Sequence, residues 1–188
     1  LLGLLEKSGK LKLDDKATTH LPSLRFYNDE MNNQITIRDL MAHRTGLTRY
    51  DYSWYLFNTP NRDSIIARVK YMAPTAGVRQ KWYYNNFGYL AQGMIVEKIS
   101  GKTWEQNIKE KFFDPLEMTR SNTDIKAFQN DSDAALPYAT VKDSLIKKLD
   151  YYNINGMGPA GSINSSVNDM ANWLKVWISG GYYKKKEI

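Results

Sequence analysis

In the stretch KWYYNNFGYLAQGMIVEKISG, residues 81–101, two tyrosines and two asparagines stand side by side just ahead of a helical pattern. The cluster admits two readings. It is either a polar helix start, or a place where one phenol moves a proton, because a tyrosine hydroxyl serves as a general base when ionised and as a general acid when not. Spacing alone does not choose between them. Chance would place about one Tyr-x-Asn in a chain with 13 Tyr and 15 Asn among 188 residues. Three occur: Tyr83/Asn85, Tyr84/Asn86 and Tyr151/Asn153.

The elements that would position such a pair can be read from capping signals and apolar periodicity. Leu1 to Ser8 read as the last turns of a helix, with Gly9 as its left-handed stop. Thr36 and Asp39 stand in capping-box spacing ahead of Ile37, Leu40 and Met41, which predicts a short helix over 36–44 closed by Gly46. Residues 63–72 give another helix, ended by Pro74. Leu90, Met94 and Ile95 share one face of a helix over 86–100 that stops at Gly101, and Thr103 with Gln106 caps a partner helix over 103–113. The β-branched and aromatic residues between Pro137 and Tyr152 suggest a hairpin or irregular strands. Ser166 caps a last helix over 167–177, and the tail YYKKKE reads as a solvated turn.

Composition bounds the function. Aromatics are 13% of the chain and hydrophobic residues 42%, enough for a compact core, so one domain is expected over residues 1–188. The net charge of +6 is spread among 20 acids rather than gathered into a footprint, which argues against a nucleic-acid partner. There is no cysteine and there are only two histidines, His20 and His43, so a thiolate nucleophile and a Cys- or His-rich metal site are excluded. No apolar run is long enough for a membrane span.

Four segments, taken in order, resemble the serine beta-lactamase superfamily, in the branch that holds class C beta-lactamases, D-alanyl-D-alanine carboxypeptidases and related esterases and peptidases. LLEKSGKLKLDDKATTHLPSL resembles the stretch just after the family's nucleophile helix. ITIRDLMAHRTGL resembles its Leu-Leu-x-His-Thr-Ser-Gly-Leu segment. WYYNNFGYLAQGMIVEKISGKTWEQNIKEKFFDPLEMTRSNT resembles its Tyr-Ser-Asn helix with the Pro-Leu-Gly-Met-x-x-Thr beyond, and GPAGSINSSVNDMANWL its glycine-rich run before an Asp-x-x-x-Trp helix. The family's Tyr-x-Asn is followed by x-Gly-Tyr, and only Tyr84-Asn85-Asn86 with Gly88 and Tyr89 fits that register. The resemblance implies that Tyr84 is the proton partner of a serine and that Asn86 binds the substrate's amide side chain. A phenol ordinarily titrates near pH ~10, so the role requires cations that stabilise its anion. The family supplies them from lysines in Ser-x-x-Lys and Lys-Thr-Gly.

Neither lysine motif is found in its family position, and both are expected outside this segment, one just before Leu1 and one beyond Ile188. Ser144 to Lys147 spells Ser-x-x-Lys, but it comes after Tyr84 and sits in a strand-like stretch, whereas a nucleophile needs a helix start. Arg44-Thr45-Gly46 imitates Lys-Thr-Gly and reads as a helix stop. The plainer alternatives are a packed aromatic for Tyr84, an N-cap for Asn86, a hydrogen-bonded turn residue for His43, a plain loop for Gly161 and Ser162, and partial burial for Trp54, Tyr55 and Phe57.

The expected fold is mainly α, the helical region of a beta-lactamase/transpeptidase-like α/β fold, with a few short strands and no complete central sheet. The expected function is that of the middle segment of a penicillin-recognising serine hydrolase. It would act by acyl transfer on a beta-lactam, a D-amino-acid peptide or an ester, and would be inactive as this segment alone. The resemblance implies no metal or organic cofactor, a small-molecule or peptide substrate, and a periplasmic or cell-envelope location. The alternative is a non-catalytic domain that binds a cell-wall peptide or a partner protein.

Overall fold

The computed structural model describes residues 1–188. Its centre is a single helix, α7 (Asn86–Ser100), in which nine residues are buried, from Phe87 through Val96 with only Tyr89 breaking the run. A helix apolar nearly all round must be enclosed by other elements, and here they come from both sides of it in sequence. Four short helices precede it: α1 (Leu2–Lys7), α2 (Ala17–His20), α3 (Asp29–Gln34) and α4 (Ile37–Met41). Next come two more, α5 (Tyr52–Tyr55) and α6 (Arg62–Ile66), the latter tightening into a 3-10 turn over Ala67–Tyr71. Ile35, Ile37, Leu40, Ile65 and Ile66 from these elements join Leu90 and Ile95 in one cluster of fully buried side chains.

After α7 comes α8 (Trp104–Ile108), which widens into a π-helical turn over Lys109–Phe113 whose i→i+5 bond runs from the Asp114 N–H to the Lys109 carbonyl at 2.9 Å. The sequence predicts regular helix over all of 103–113. The wider turn places Phe113 in a second apolar cluster with Trp104, Ile108, Leu116, Met118, Val176 and Tyr183. Then come α9 (Ile125–Gln129), an antiparallel hairpin of β1 (Tyr138–Val141) and β2 (Leu145–Lys148), a 3-10 turn at Asn155–Met157, α10 (Gly158–Gly161) and α11 (Val167–Ile178). A two-residue-pair hairpin, β3 (Tyr182–Tyr183) with β4 (Lys186–Glu187), ends the chain. The fold is mainly helical, and its two small sheets are separate, so no central sheet forms. No helix is long and apolar enough to cross a membrane.

The capping signals are realised atom by atom. Thr36 accepts from the Asp39 N–H at 3.2 Å while Asp39 accepts from the Thr36 N–H at 3.0 Å, and Thr103 with Gln106 forms the same reciprocal box. Ser166 caps α11 through the Asp169 N–H. Two expectations need correction. Asn85, and not Asn86, caps α7: its side chain accepts from the Gly88 N–H at 3.1 Å, and Asn86 is the first helical residue. The tail is a hairpin and not a solvated turn. Lys184 and Lys185 take φ values of 47° and 67° at its tip, the geometry of a tight two-residue turn, and Tyr183 is buried in the second cluster.

Charge locks the helices where apolar packing leaves gaps. The Arg62 guanidinium, 15% exposed, is ion-paired with Glu97 of α7 and Glu105 of α8 and donates to the Asn155 carbonyl at 3.3 Å. One side chain thus ties α6, α7, α8 and the turn before α10 together. Close backbone approach does the rest. A Cβ on Gly93 would lie 2.2 Å from Pro159 Cγ, so α10 rests directly on α7 only because residue 93 has no side chain. Gly93→Ala is therefore expected to destabilise the chain by about 1–3 kcal/mol through overpacking. Gly3→Ala, in exposed helix with nothing near its Cβ, should be neutral or stabilising. Urea denaturation of both variants checks the contrast, and equal midpoints would show that Pro159 yields freely.

Candidate active site

The residues around the Tyr-x-Asn pair are organised by a short extended segment that leads into α7. His43, in the left-handed region at φ 56°, faces this segment twice: its carbonyl accepts from the Tyr83 N–H at 3.0 Å and its Nδ1 accepts from the Asn85 N–H at 3.2 Å. In an extended chain alternate residues share a side, so with Asn85 turned inward Tyr84 is turned the other way. Burial agrees. Asn85 is 3% exposed, Tyr84 is 38% exposed and Asn86 is half-buried. The inward asparagine is fully used, because its Nδ2 donates to the Thr48 carbonyl while its Oδ1 caps the helix.

Tyr84 lies in an aromatic group centred on His43, whose ring is 4.7 Å from that of Tyr84, 5.2 Å from Tyr89 and 5.8 Å from Trp82. The Arg49 guanidinium covers the phenol ring at 4.9 Å from its centroid. Arg49 is held there by Asp51, which accepts from its Nε at 2.6 Å; this contact and the charge of Asp51 raise the arginine's pKa, with smaller contributions from Tyr84 and Tyr55. The other Asp51 oxygen accepts from Asn86 Nδ2 at 3.1 Å and from Trp54 Nε1 at 3.3 Å. Both members of the pair therefore touch a common Arg49–Asp51 ion pair. Thr48, Arg49, Trp82, Tyr83 and Tyr84 line an open depression, and a second one, bordered by Thr48 through Ser53 and Tyr55, adjoins it.

The other candidates separate clearly. His43 is a hydrogen-bonded turn residue whose Nδ1 acts as acceptor, so the neutral ring carries its proton on Nε2. Ser144 is exposed at the hairpin turn with its hydroxyl on the Lys142 carbonyl. Lys147 lies in the strand that follows, so the pair lacks the helix-start geometry of a nucleophile with its lysine one turn along. Arg44-Thr45-Gly46 is a turn. Thr45 is buried, and Gly46 sits at φ 86°, where a Cβ would meet the Ala76 carbonyl at 2.2 Å. Trp54 is core, stacked on Tyr55 at 3.9 Å, while Tyr55 borders the second depression and Phe57 is exposed. The Ser162 hydroxyl is buried and donates to the Gly158 carbonyl at 3.1 Å. Tyr83 also borders the depression, although it takes no part in the His43 aromatic group. Arg49 and Asp51 were not singled out from the sequence. An Arg-x-Asp within a run of aromatics carries no periodic or motif signal.

The beta-lactamase family model matches residues 1–187. Among curated proteins, the chain is 23% identical over 210 residues to an N-acetylmuramyl-L-alanine amidase of Bacillus subtilis (strain 168), covering 96% of this chain and 47% of the relative. It is 26% identical over 175 residues to a teichoic acid D-alanine hydrolase of Staphylococcus aureus (strain MRSA252), covering 93% and 41%. The octameric penicillin-binding protein homologue from Pyrococcus abyssi superposes with a TM-score of 0.79 at 26% identity, over 95% of this chain and 42% of that one. The chain spans less than half the length of each of these relatives.

His43 gives this corner a pH dependence. Burial pushes its pKa below the ordinary 6.5, so the unfolded chain takes up a proton before the folded one does. With the folded value depressed, stability is constant above about pH 7.5 and falls as pH drops through the unfolded value, levelling off only below the folded one. His43→Asn keeps a residue that tolerates the left-handed backbone and removes the titration. Between about pH 7.5 and 5.5 the melting temperature of the wild-type chain should fall more than that of the variant. Parallel falls in the two proteins would show that protonation of His43 does not oppose this packing.

Proposed function

Because the chain belongs to the beta-lactamase family, we propose that residues 1–188 form the helical part of a serine hydrolase acting by acyl transfer on a D-amino-acid amide or ester of the cell envelope. The observation that carries the reading is the exposure of the Tyr84 phenol on an open depression while the residues on either side of it are pinned to His43. Support for a D-amino-acid substrate comes from the relative named as a teichoic acid D-alanine hydrolase, and support for amide chemistry from the one named as an N-acetylmuramyl-L-alanine amidase. The cell-envelope location rests on the same names.

In this reading the nucleophile is a serine outside residues 1–188. Its Oγ attacks the carbonyl carbon as its proton passes to the Tyr84 oxygen, and backbone N–H groups hold the oxyanion. The bond to the leaving amine or alcohol breaks as Tyr84 returns the proton to it. Water then cleaves the acyl-serine, again with Tyr84 taking and returning a proton. Asn86 holds the amide group next to the scissile carbonyl.

The test is made in the full-length protein. Tyr84→Phe keeps the ring under Arg49 but removes the hydroxyl, so acylation of a chromogenic beta-lactam or D-alanyl ester should fall by roughly 10²–10⁴ with little change in melting temperature. Tyr83→Phe should retain nearly full rate although Tyr83 borders the same depression. An equal loss in the two variants would indicate general damage to the start of α7. Unchanged rates in both would show that the Tyr84 phenol is a packed aromatic, whereas no acylation by the wild-type protein would favour a binding domain for a cell-wall peptide or a partner protein.

A further inference from the structure

Resting on that reading of the site, we infer that the open face of Trp82 is a stacking platform for a pyranose ring carried by the leaving group of the substrate. Trp82 is 65% exposed. An indole is the largest apolar plate a side chain can offer, so one left open beside a reactive group is available to a ligand.

Its placement follows from the segment it stands on. Residues 82–85 lie in neither helix nor strand, and their burial alternates: Trp82 and Tyr84 are exposed, Tyr83 is half-buried and Asn85 is buried. With the Tyr83 and Asn85 N–H groups held by His43, Trp82 and Tyr84 are presented on one side as a pair. The indole meets the His43 ring edge to face, centroids 5.8 Å and planes 85° apart, and lies 6.4 Å from the Tyr84 ring at 47°. Neither contact is a flat stack, so an indole face stays uncovered. Tyr84 returns its proton to the leaving group in the proposed reaction, which brings that part of the substrate up beside the phenol. Asn86, assigned to the acyl part, follows Tyr84 in the chain, and Trp82 precedes it.

The surroundings of the plate select the ligand. Thr48, Arg49, Tyr83 and Tyr84 line the same depression, and they supply hydroxyls and the guanidinium N–H groups beyond the Nε that Asp51 holds. An apolar face with a rim of donors matches a pyranose, whose C–H groups lie on its faces and whose hydroxyls project from its edge. A purely aromatic ligand would cover the indole but leave the rim donors without partners. An open-chain polyol would serve the rim but has no flat face to lay on the ring.

Two D-alanyl esters test this in the full-length protein, one on the primary hydroxyl of methyl glucopyranoside and one on a primary hydroxyl of glucitol. They share the acyl group and differ in whether the sugar is a closed ring. Wild-type enzyme should prefer the first by about fivefold in kcat/KM, the size of one aromatic contact. Trp82→Ala should bring the ratio to about two-fold or less, whereas Trp82→Phe, which keeps a flat ring, should retain part of the preference. Equal slowing of both esters in Trp82→Ala, with the ratio intact, would show a packing role against His43 and overturn the inference.

A wild-type ratio near one, with Tyr84→Phe strongly impaired, also overturns it and leaves the site reading standing. Full activity in Tyr84→Phe overturns the site reading, and this inference with it. Should Trp82→Ala fail to fold, the indole N–H signal of Trp82 in the ¹⁵N-labelled wild-type protein carries the test. It should shift on addition of methyl glucopyranoside and stay in place with glucitol. No shift, as when another part of the full-length chain covers Trp82, or equal shifts with both, overturns the proposal.

Discussion

The contact on which the site depends is the one between His43 and the backbone ahead of α7. Two N–H groups, those of Tyr83 and Asn85, have no helical partners in the segment ahead of α7, and both are taken by a single residue. That residue can do so because it occupies a left-handed backbone position in the turn after α4, which brings its carbonyl and its ring to the same side. The consequence is geometric. With 83 and 85 held, residue 84 has one direction left, and its side chain is delivered to the surface beside Arg49. Asn85 completes the arrangement from below, closing the first turn of α7 with one end of its amide and holding the Thr48 carbonyl with the other. The loop that carries Arg49 and Asp51 starts at Thr48, so the same buried asparagine that starts the helix also sets the distance of the ion pair from the phenol.

Precision at the surface requires a frame that does not yield. A helix buried on nearly every face gives one, since any tilt of α7 would open cavities on one side and force overlap on another. Gly88 lets it approach the α4 backbone, where a Cβ would stand 3.2 Å from the Leu40 carbonyl, and Gly93 lets α10 do the same further along. The Arg62 knot closes the far end, where Glu97 also accepts the Trp104 N–H at 2.9 Å and so fixes the entry to α8. Buried ionic groups are costly to desolvate, and they are tolerated here because each carries several partners. The mobile part of the chain is expected elsewhere, in the exposed hairpin of β1 and β2, which no apolar cluster anchors.

What the sequence discloses and what it conceals divide along the range of the forces involved. The capping boxes at Thr36 and Thr103 are local, three residues end to end, and the starts of their helices were legible, although α4 ends at Met41, short of the expected 44, and the helix from Thr103 changes pitch at Lys109. The choice between Asn85 and Asn86 as cap was not, because adjacent asparagines are equally good caps in isolation and only the distant Thr48 carbonyl and His43 ring decide between them. The tail failed for the same reason. YYKKKE is polar in composition, but Tyr183 is drawn into a cluster made by Trp104, Ile108 and Val176, and Lys184 bonds to Glu117 at 2.6 Å, contacts that no local window contains. Asp51 is the extreme case, a residue whose meaning lies wholly in what three other side chains do to it.

The ion pair over Tyr84 also bears on what the phenol still needs. A phenol near pH 7 can accept a proton only where positive charge favours its anion, since its ordinary pKa is about 10. Arg49 is close enough to supply such charge, but its guanidinium is bonded to Asp51 at 2.6 Å, so what faces the ring is a dipole and not a free cation. The field of a dipole falls off faster with distance than that of a lone charge, and the exposed arginine is further screened by water. Orientation is therefore the stronger contribution of Arg49: it lies against the ring face, where a cation holds the aromatic plane in place beside the depression that Tyr84 lines. Full positive charge at the hydroxyl itself has to come from ammonium groups that approach it from the solvent side. In the proposed acyl-transfer reading, that is the side from which the serine and its lysines would approach Tyr84.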